Sequence, residues 1–138
     1  MRVKRTVTIA MSNYEEIVGA CAFTYDGRIG YATDNLNLAS DIVTILSAWN
    51  GKINSYKIKN ISFITAMTTE NGLVAINPDG AVALMVGTGK GIWFVAAMAP
   101  MDKDKMGILM ECVTSAKNLE RSISVYDIPD GSGGHWQA

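Results

Sequence analysis

The chain has 138 residues, of which 49% are hydrophobic and 18% charged; this length suits one domain, and this composition excludes intrinsic disorder. Lys and Arg together number 12 and Asp and Glu 13, so the net charge is near −1, which argues against nucleic acid as a partner. No apolar run is as long as the ~18 residues of a membrane span, and no secretory signal precedes the domain. We therefore expect no membrane span and a cytoplasmic protein. Cys21 and Cys112 lie outside any paired-cysteine motif and are interpreted as buried, reduced thiols.

The first residues allow two secondary structures. Val3, Val7 and Met11 are spaced as on one face of a helix, but together with Ile9 they also alternate as in a strand. The Thr and Val content favours a strand. From the residues alone, segment 3–14 is left open.

Glycine-containing turns divide the middle of the chain into strands. Three pairs of Asp or Asn with Gly are typical of tight hairpins, because these residues tolerate positive φ, and a fourth turn follows at 89–91. The predicted turn glycines are Gly27, Gly72, Gly80 and Gly89. The flanking apolar runs are predicted as strands at 18–25, 28–33, 61–70, 73–77, 81–86 and 92–98.

Two amphipathic helices complete the pattern. One is predicted from Leu38, where apolar residues recur at intervals of three and four, and it either stops at Gly51 or continues to Ile53 with a weak point. The other follows Pro100, with Asp102 or Asp104 as its cap. The sequence therefore predicts an α+β fold in the order α-ββ-α-βββ(β)-α, with an antiparallel sheet of five or six strands. We assign residues 1–126 to a single domain and 127–138 to a flexible tail.

Residues that could carry chemistry are scarce. The one histidine, His135, lies in the predicted tail, so no catalytic triad or histidine metal site can form inside the domain. The segment GTGKG at 87–91 departs from a phosphate-binding loop, because Leu84 occupies the position of the first glycine and Gly91 follows Lys90 in place of Ser or Thr. We expect a glycine-rich hairpin there. The protein is predicted not to be an enzyme and to hold no cofactor or metal.

A homodimer interface is predicted from two surfaces. The middle helix has a wider apolar stripe than one sheet face needs, and the uncharged run 61–69 would be prone to aggregate if it formed an open sheet edge. Pairing with a second copy would cover both. The predicted interface residues are Ile42, Ile45, Leu46, Trp49, Ile53, Ile61, Phe63 and Thr65.

The order of elements resembles the roadblock/dynein light chain domain family, within the larger group of profilin-like folds. The resemblance covers about residues 3–121 and lies in GACAFTYDGRIGYATD, LASDIVTILSAW, ISFITAMTTENGLVAINPDGAVALMV and MGILMECVTSAKNLE. It implies a helix at the N-terminus and a two-fold dimer with one continuous sheet. It further implies a non-enzymatic scaffold or regulator that binds a small Ras-like GTPase. One departure is that roadblock domains have three strands between the middle and last helices, whereas this sequence predicts four.

Two alternatives remain open. A profilin-like small-ligand sensor would bind its ligand in a pocket lined by Met67, Met85, Trp93 and Met98, since methionines form an adaptable lining. An actin-binding profilin-like module would use a mixed-charge face at the last helix, where the available cations are Lys103, Lys105 and Lys117.

Overall fold

A computed structural model describes residues 2–123. Ten elements follow one another: α1 Arg2–Asn13, β1 Gly19–Thr24, β2 Ile29–Ala32, α2 Ile42–Trp49, β3 Ser55–Ile58, β4 Ile61–Thr68, β5 Gly72–Ile76, β6 Val82–Thr88, β7 Trp93–Pro100 and α3 Lys105–Ser122. The predicted tail at 127–138, with His135, lies outside the described residues. The α+β prediction is confirmed, and the ambiguous N-terminal segment is a helix.

The strands form one antiparallel sheet in the order β2-β1-β7-β6-β5-β4-β3. Seven strands replace the predicted five or six. The additional strand, β3, lies between the predicted middle helix and the strand predicted at 61–70, in a stretch to which the sequence assigned no element. Gly51 has a φ of +76° directly after α2, so the helix ends there, and Ile53 lies in the connection that follows.

The connection from β3 to β4 explains why β3 is hard to recognise in the sequence. Lys59 and Asn60 have φ values of 54° and 65°, so both turn residues are left-handed although neither is glycine. They join Ile58 to its partner Ile61 in a two-residue hairpin. Such hairpins usually contain Asn-Gly or Asp-Gly, so this turn lacks the usual signal.

The helices cover the two faces of the sheet unequally. On one face, α1 packs against β1 and β2, and α3 packs against β5, β6 and β7. Trp93, Met85 and Val74 lie in the core beneath these two helices. On the other face, α2 and the segment leading into it cover a second core that includes Phe23, Phe63 and Ile45. The sheet is therefore buried on both sides at its centre, which explains why β7 is almost entirely apolar.

Two of the four predicted turn glycines have a different role from the expected one. Gly27 and Gly80 have φ values of +94° and +82°, as tight turns require. Gly72 is the first residue of β5, and a Cβ there would lie 2.9 Å from the Leu109 side chain. Gly89 lies against Glu120, and the positive φ of this loop belongs to Gly91. α3 packs so closely against Gly72 and Gly89 that neither position has room for a side chain.

Both cysteines are free and buried. Cys21 belongs to the core beneath α2 and Cys112 to the core beneath α3, so the sheet separates them and they cannot form a disulfide. Burial raises the pKa of the Cys21 thiol to about 11 and that of the Cys112 thiol to about 12. The prediction of buried, reduced thiols is confirmed.

None of the helices in the described part of the chain is long and apolar enough to cross a membrane. Likewise, residues 2–123 contain no group of three His, Cys, Asp or Glu side chains arranged to hold a metal ion.

Candidate binding surface

The residues predicted as a dimer interface lie around α2 and β4. Ile42, Ile45 and Phe63 are at most 3% exposed and belong to the core beneath α2. The others are half-buried: Leu46, Trp49, Ile53 and Ile61 pack against that core, and Thr65 forms a hydrogen bond of 2.8 Å with the Tyr56 hydroxyl. The apolar stripe of α2 is thus largely used within the chain.

The open edge that motivated the dimer prediction is closed over the first half of β4. β4 pairs with β5 on one side, and on the other side β3 pairs with Ile61–Ile64, so this half has no free edge to offer a second copy. The edge belongs to β3, which is four residues long and includes Lys57, with Lys59 directly after it. A short edge strand with lysines resists pairing with other sheets. The premise of an open edge along the whole run 61–69 was wrong, because β3 covers Ile61–Ile64, and the interface itself stays a prediction.

The pocket expected for a small-ligand sensor also does not form as predicted. Met85 and Trp93 are fully buried beneath α3, whereas Met98 lies in the core on the opposite face of the sheet. Side chains on opposite faces of one sheet cannot line a single pocket.

The surface that remains unpartnered lies where the sheet extends beyond α3. Because α1 and α3 cover the strands from β2 to β5, the same face of β3 and β4 is left without a helix. Ile64 of β4 pairs with Ile76 of β5, which packs at the border of the core beneath α3. Ile64 therefore points to this uncovered side, where it is 38% exposed. Lys57 points the same way, since its neighbours Tyr56 and Ile58 are buried beneath α2.

The exposed flank of α3 borders the same area. Leu109 faces the sheet at Gly72, and Glu111 accepts a hydrogen bond of 2.9 Å from Asn13 of α1. With about 100° between successive helix residues, Met106 and Met110 project from the flank opposite α1, towards β5 and β4. They are 50% and 57% exposed.

Together these residues form an apolar surface with a basic margin, which we call the open face: Lys57, Ile64, Ile76, Met106 and Met110. Three of its four apolar side chains are among the large hydrophobic residues that remain exposed in the described part of the chain. Apolar side chains grouped in this way, on three different elements, are typical of a protein-binding surface. Methionines suit such a surface, because their unbranched side chains adapt to the shape of a partner.

No protein-family model and no curated protein matches the sequence. Solved structures do match. Loki profilin 2, solved in a complex with rabbit actin, superposes with a TM-score of 0.78 and 20% identity, over 88% of this chain and 98% of that chain. The fold is that of the profilins. Profilin from Schizosaccharomyces pombe gives a TM-score of 0.68 at 11% identity, over 86% of this chain and 96% of that one.

A mouse profilin extends the comparison to a second kind of partner. Mouse profilin IIa, in complex with a double repeat from the FH1 domain of mDia1, matches with a TM-score of 0.66 and 14% identity, over 86% of this chain and 96% of its own. The profilin-like part of the sequence-based resemblance is therefore confirmed. The roadblock part finds no support in these structures, and neither does a small GTPase as partner.

The structure also shows why the sequence analysis missed the open face. Residues on this face come from three distant segments, and its existence depends on β3, which the sequence did not predict. Of the lysines considered for an actin-binding face, Lys103 and Lys117 are exposed, whereas the Lys105 ammonium donates a hydrogen bond of 2.6 Å to the Met101 carbonyl. The signal available in the sequence was Met110, which lies off the apolar stripe of the last helix. The same spacing predicted Met106 as part of the buried stripe, which was wrong, because Met106 is 50% exposed.

Proposed function

We propose that this protein is an actin-binding module of the profilin type and that it binds through the open face. The observation that carries the proposal is the match to Loki profilin 2, solved bound to rabbit actin, over nearly the whole of both chains. A second Loki profilin solved with rabbit actin matches at a TM-score of 0.77 and 19% identity. This replaces the small-GTPase scaffold implied by the roadblock resemblance.

The chemistry of the open face supports the proposal. Ile64, Met106 and Met110 expose apolar surface, and burying it against a partner would contribute roughly 25 cal/mol per Å². Lys57 at the margin would meet a complementary acidic group and favour the encounter with an acidic partner. A binding function of this kind requires no catalytic group.

Monomeric rabbit actin, titrated against the chain in a direct binding assay, tests the proposal. We expect saturable binding, and we expect Ile64→Glu and Met110→Glu to weaken it by at least about tenfold each, because a buried, unpaired carboxylate costs several kcal/mol. Both side chains are exposed, so the variants should remain folded.

Val43→Glu is the matched control. Val43 is the most exposed large hydrophobic residue of the described chain, at 78%, but it lies on α2, on the opposite side of the sheet. The affinity of the Val43→Glu variant for actin should equal that of the native chain. The proposal fails if the native chain does not bind actin at about 100 µM. The assignment to the open face fails if Val43→Glu is impaired and the other two variants are not.

A further inference from the structure

A cavity of about 420 Å³ lies on the other side of the sheet, between the end of α2 and the loop that joins β6 to β7. Its volume is within the range of about 300–1,000 Å³ that is usual for sites of small molecules. Its apolar wall consists of Leu46, Trp49 and Phe94. Its polar rim consists of Asn50, Glu70, Thr88 and the loop Gly89, Lys90 and Gly91.

The aromatic wall is held in place by its own contacts. The Trp49 ring meets the Phe94 ring edge-on, with 5.6 Å between centroids, and Phe94 in turn stacks on Phe23 at 5.3 Å. The Trp49 indole N–H donates a hydrogen bond of 3.0 Å to the Thr69 carbonyl. Such a wall offers a flat, rigid surface to another aromatic ring, which lowers the entropy cost of binding.

The loop opposite that wall is held equally firmly. The Glu120 carboxylate accepts hydrogen bonds of 3.0–3.1 Å from the backbone N–H groups of Lys90, Ile92 and Trp93. The Asn71 amide donates to the Thr88 and Gly89 carbonyls at 3.1 and 2.6 Å. The cavity is therefore pre-formed on both sides. These contacts also give a role to the GTGKG segment, which the sequence did not explain beyond a hairpin.

Two opposite charges lie at the rim. Glu70 and Lys90 both line the cavity, and neither forms an ion pair within residues 2–123. Lys90 also borders a second cavity, on the side of the loop where Glu120 lies. The Glu120 carboxylate accepts hydrogen bonds from backbone N–H groups of the loop and forms no ion pair with the Lys90 ammonium. An occupant with both an ammonium and a carboxylate group would complement both charges.

From this geometry we infer a binding site for a small zwitterionic aromatic molecule, of the chemistry of a free aromatic amino acid. Its ring would lie on Trp49 and Phe94, its ammonium would face Glu70, and its carboxylate would face Lys90. The site lies on the α2 side of the sheet, away from the open face. It does not depend on actin binding.

Titration of the ¹⁵N-labelled chain with L-phenylalanine tests the inference. The indole N–H signal of Trp49, identified by its loss in Trp49→Phe, should shift saturably with a Kd of about 1 mM or tighter. Phenethylamine, which lacks the carboxylate, and 3-phenylpropionate, which lacks the ammonium, should each bind at least about tenfold more weakly, since each leaves one charge without a partner.

Variants test whether the two charged side chains at the rim bind the ligand. Glu70→Gln and Lys90→Gln should each weaken L-phenylalanine binding about tenfold, whereas the exposed control positions Glu15→Gln and Lys103→Gln should leave it unchanged. All four changes lie on the surface, and the amide spectrum of each variant verifies that it is folded. The inference is overturned if no saturable shift occurs up to about 10 mM. It is also overturned if both analogues bind as well as L-phenylalanine, or if Glu70→Gln and Lys90→Gln bind as tightly as the native chain.

Discussion

Three buried side chains make the stability of the folded chain depend on pH. The thiols of Cys21 and Cys112 have pKa values raised from 9.0 to about 11 and about 12, mainly because burial disfavours the thiolate. The pKa of the Tyr56 phenol is also raised, again mainly by burial. All three groups stay protonated in the folded chain under conditions in which they ionise in the unfolded chain.

The sign of the resulting pH dependence follows from proton counting. Above pH 9 the unfolded chain binds fewer protons at these cysteines than the folded chain, so the free energy of unfolding falls as pH rises. The contribution of the two protonated thiols to the free energy of unfolding is fully present below about pH 9. It is lost as pH rises through about 11 for Cys21 and about 12 for Cys112. Each thiol accounts for up to about 1.4 kcal/mol per pH unit within its window.

Urea unfolding at pH 8, 9, 10 and 10.5 measures this loss. We expect the double variant Cys21→Ala, Cys112→Ala to be less stable at pH 8, because it leaves small cavities, but to lose less stability per pH unit above pH 9. If the double variant and the native chain lose stability in parallel over this interval, the loss does not arise from the cysteines.

At the scale of elements, the hairpin between β3 and β4 is the feature on which the open face depends. It brings Lys57 and Ile64 to the same side of the sheet through the registers of Lys57 with Ser62 and of Ser55 with Ile64. Two successive non-glycine residues with positive φ are costly, at roughly 1 kcal/mol or more each. The chain therefore carries local strain at this turn, which packing of Tyr56 and Ile58 offsets.

Asn60→Gly tests that strain. Glycine adopts a φ of 65° without a Cβ penalty, so we expect the free energy of unfolding to rise by about 0.5–1 kcal/mol, measured by urea or thermal unfolding. Asn50→Gly is the matched control. Asn50 follows α2 with a φ of −81°, which any residue adopts without strain, so glycine relieves no strain there and only increases the conformational entropy that the chain loses on folding. A stabilisation of equal size in both variants would contradict the role of positive φ.

At the scale of the whole molecule, both faces of the central sheet are covered and its two edges are the short strands β2 and β3. The predicted continuous sheet would use the edge of β4, but β3 covers that edge over Ile61–Ile64, and β3 is itself a short edge strand that includes Lys57. We therefore expect the chain by itself to be monomeric at micromolar concentration, in place of the homodimer predicted from the sequence.

Light scattering should give a mass close to the 14.9 kDa of one chain. Phe63→Asp is unsuitable as an interface variant, because Phe63 is fully buried and the change would unfold the chain. A measured mass of two chains would contradict the expectation. In that case Ile64→Asp and Val43→Asp, both at exposed positions on opposite sides of the sheet, would show which surface forms the contact.

The sequence by itself determined the elements whose signals are local. Asp26-Gly27 and Asp79-Gly80 marked turns because positive φ favours these residues, and the apolar runs around them became β1, β2, β5 and β6. The spacing of apolar residues predicted the helix after Pro100, and Asp104 caps it through a hydrogen bond of 2.9 Å from the Gly107 N–H. The separation of helices from strands was enough to predict an α+β fold.

Only the tertiary structure decided the features that depend on distant residues. β3 is stabilised by its pairing with β4 and by burial of Tyr56 and Ile58, and its turn has no glycine to announce it. Because of that strand, the profilin-like sheet has seven strands and not the five or six predicted. It also creates the open face, whose residues come from β3, β4, β5 and α3. Such a surface arises from strand order and from the placement of α3, and neither is a property of any single segment of the sequence.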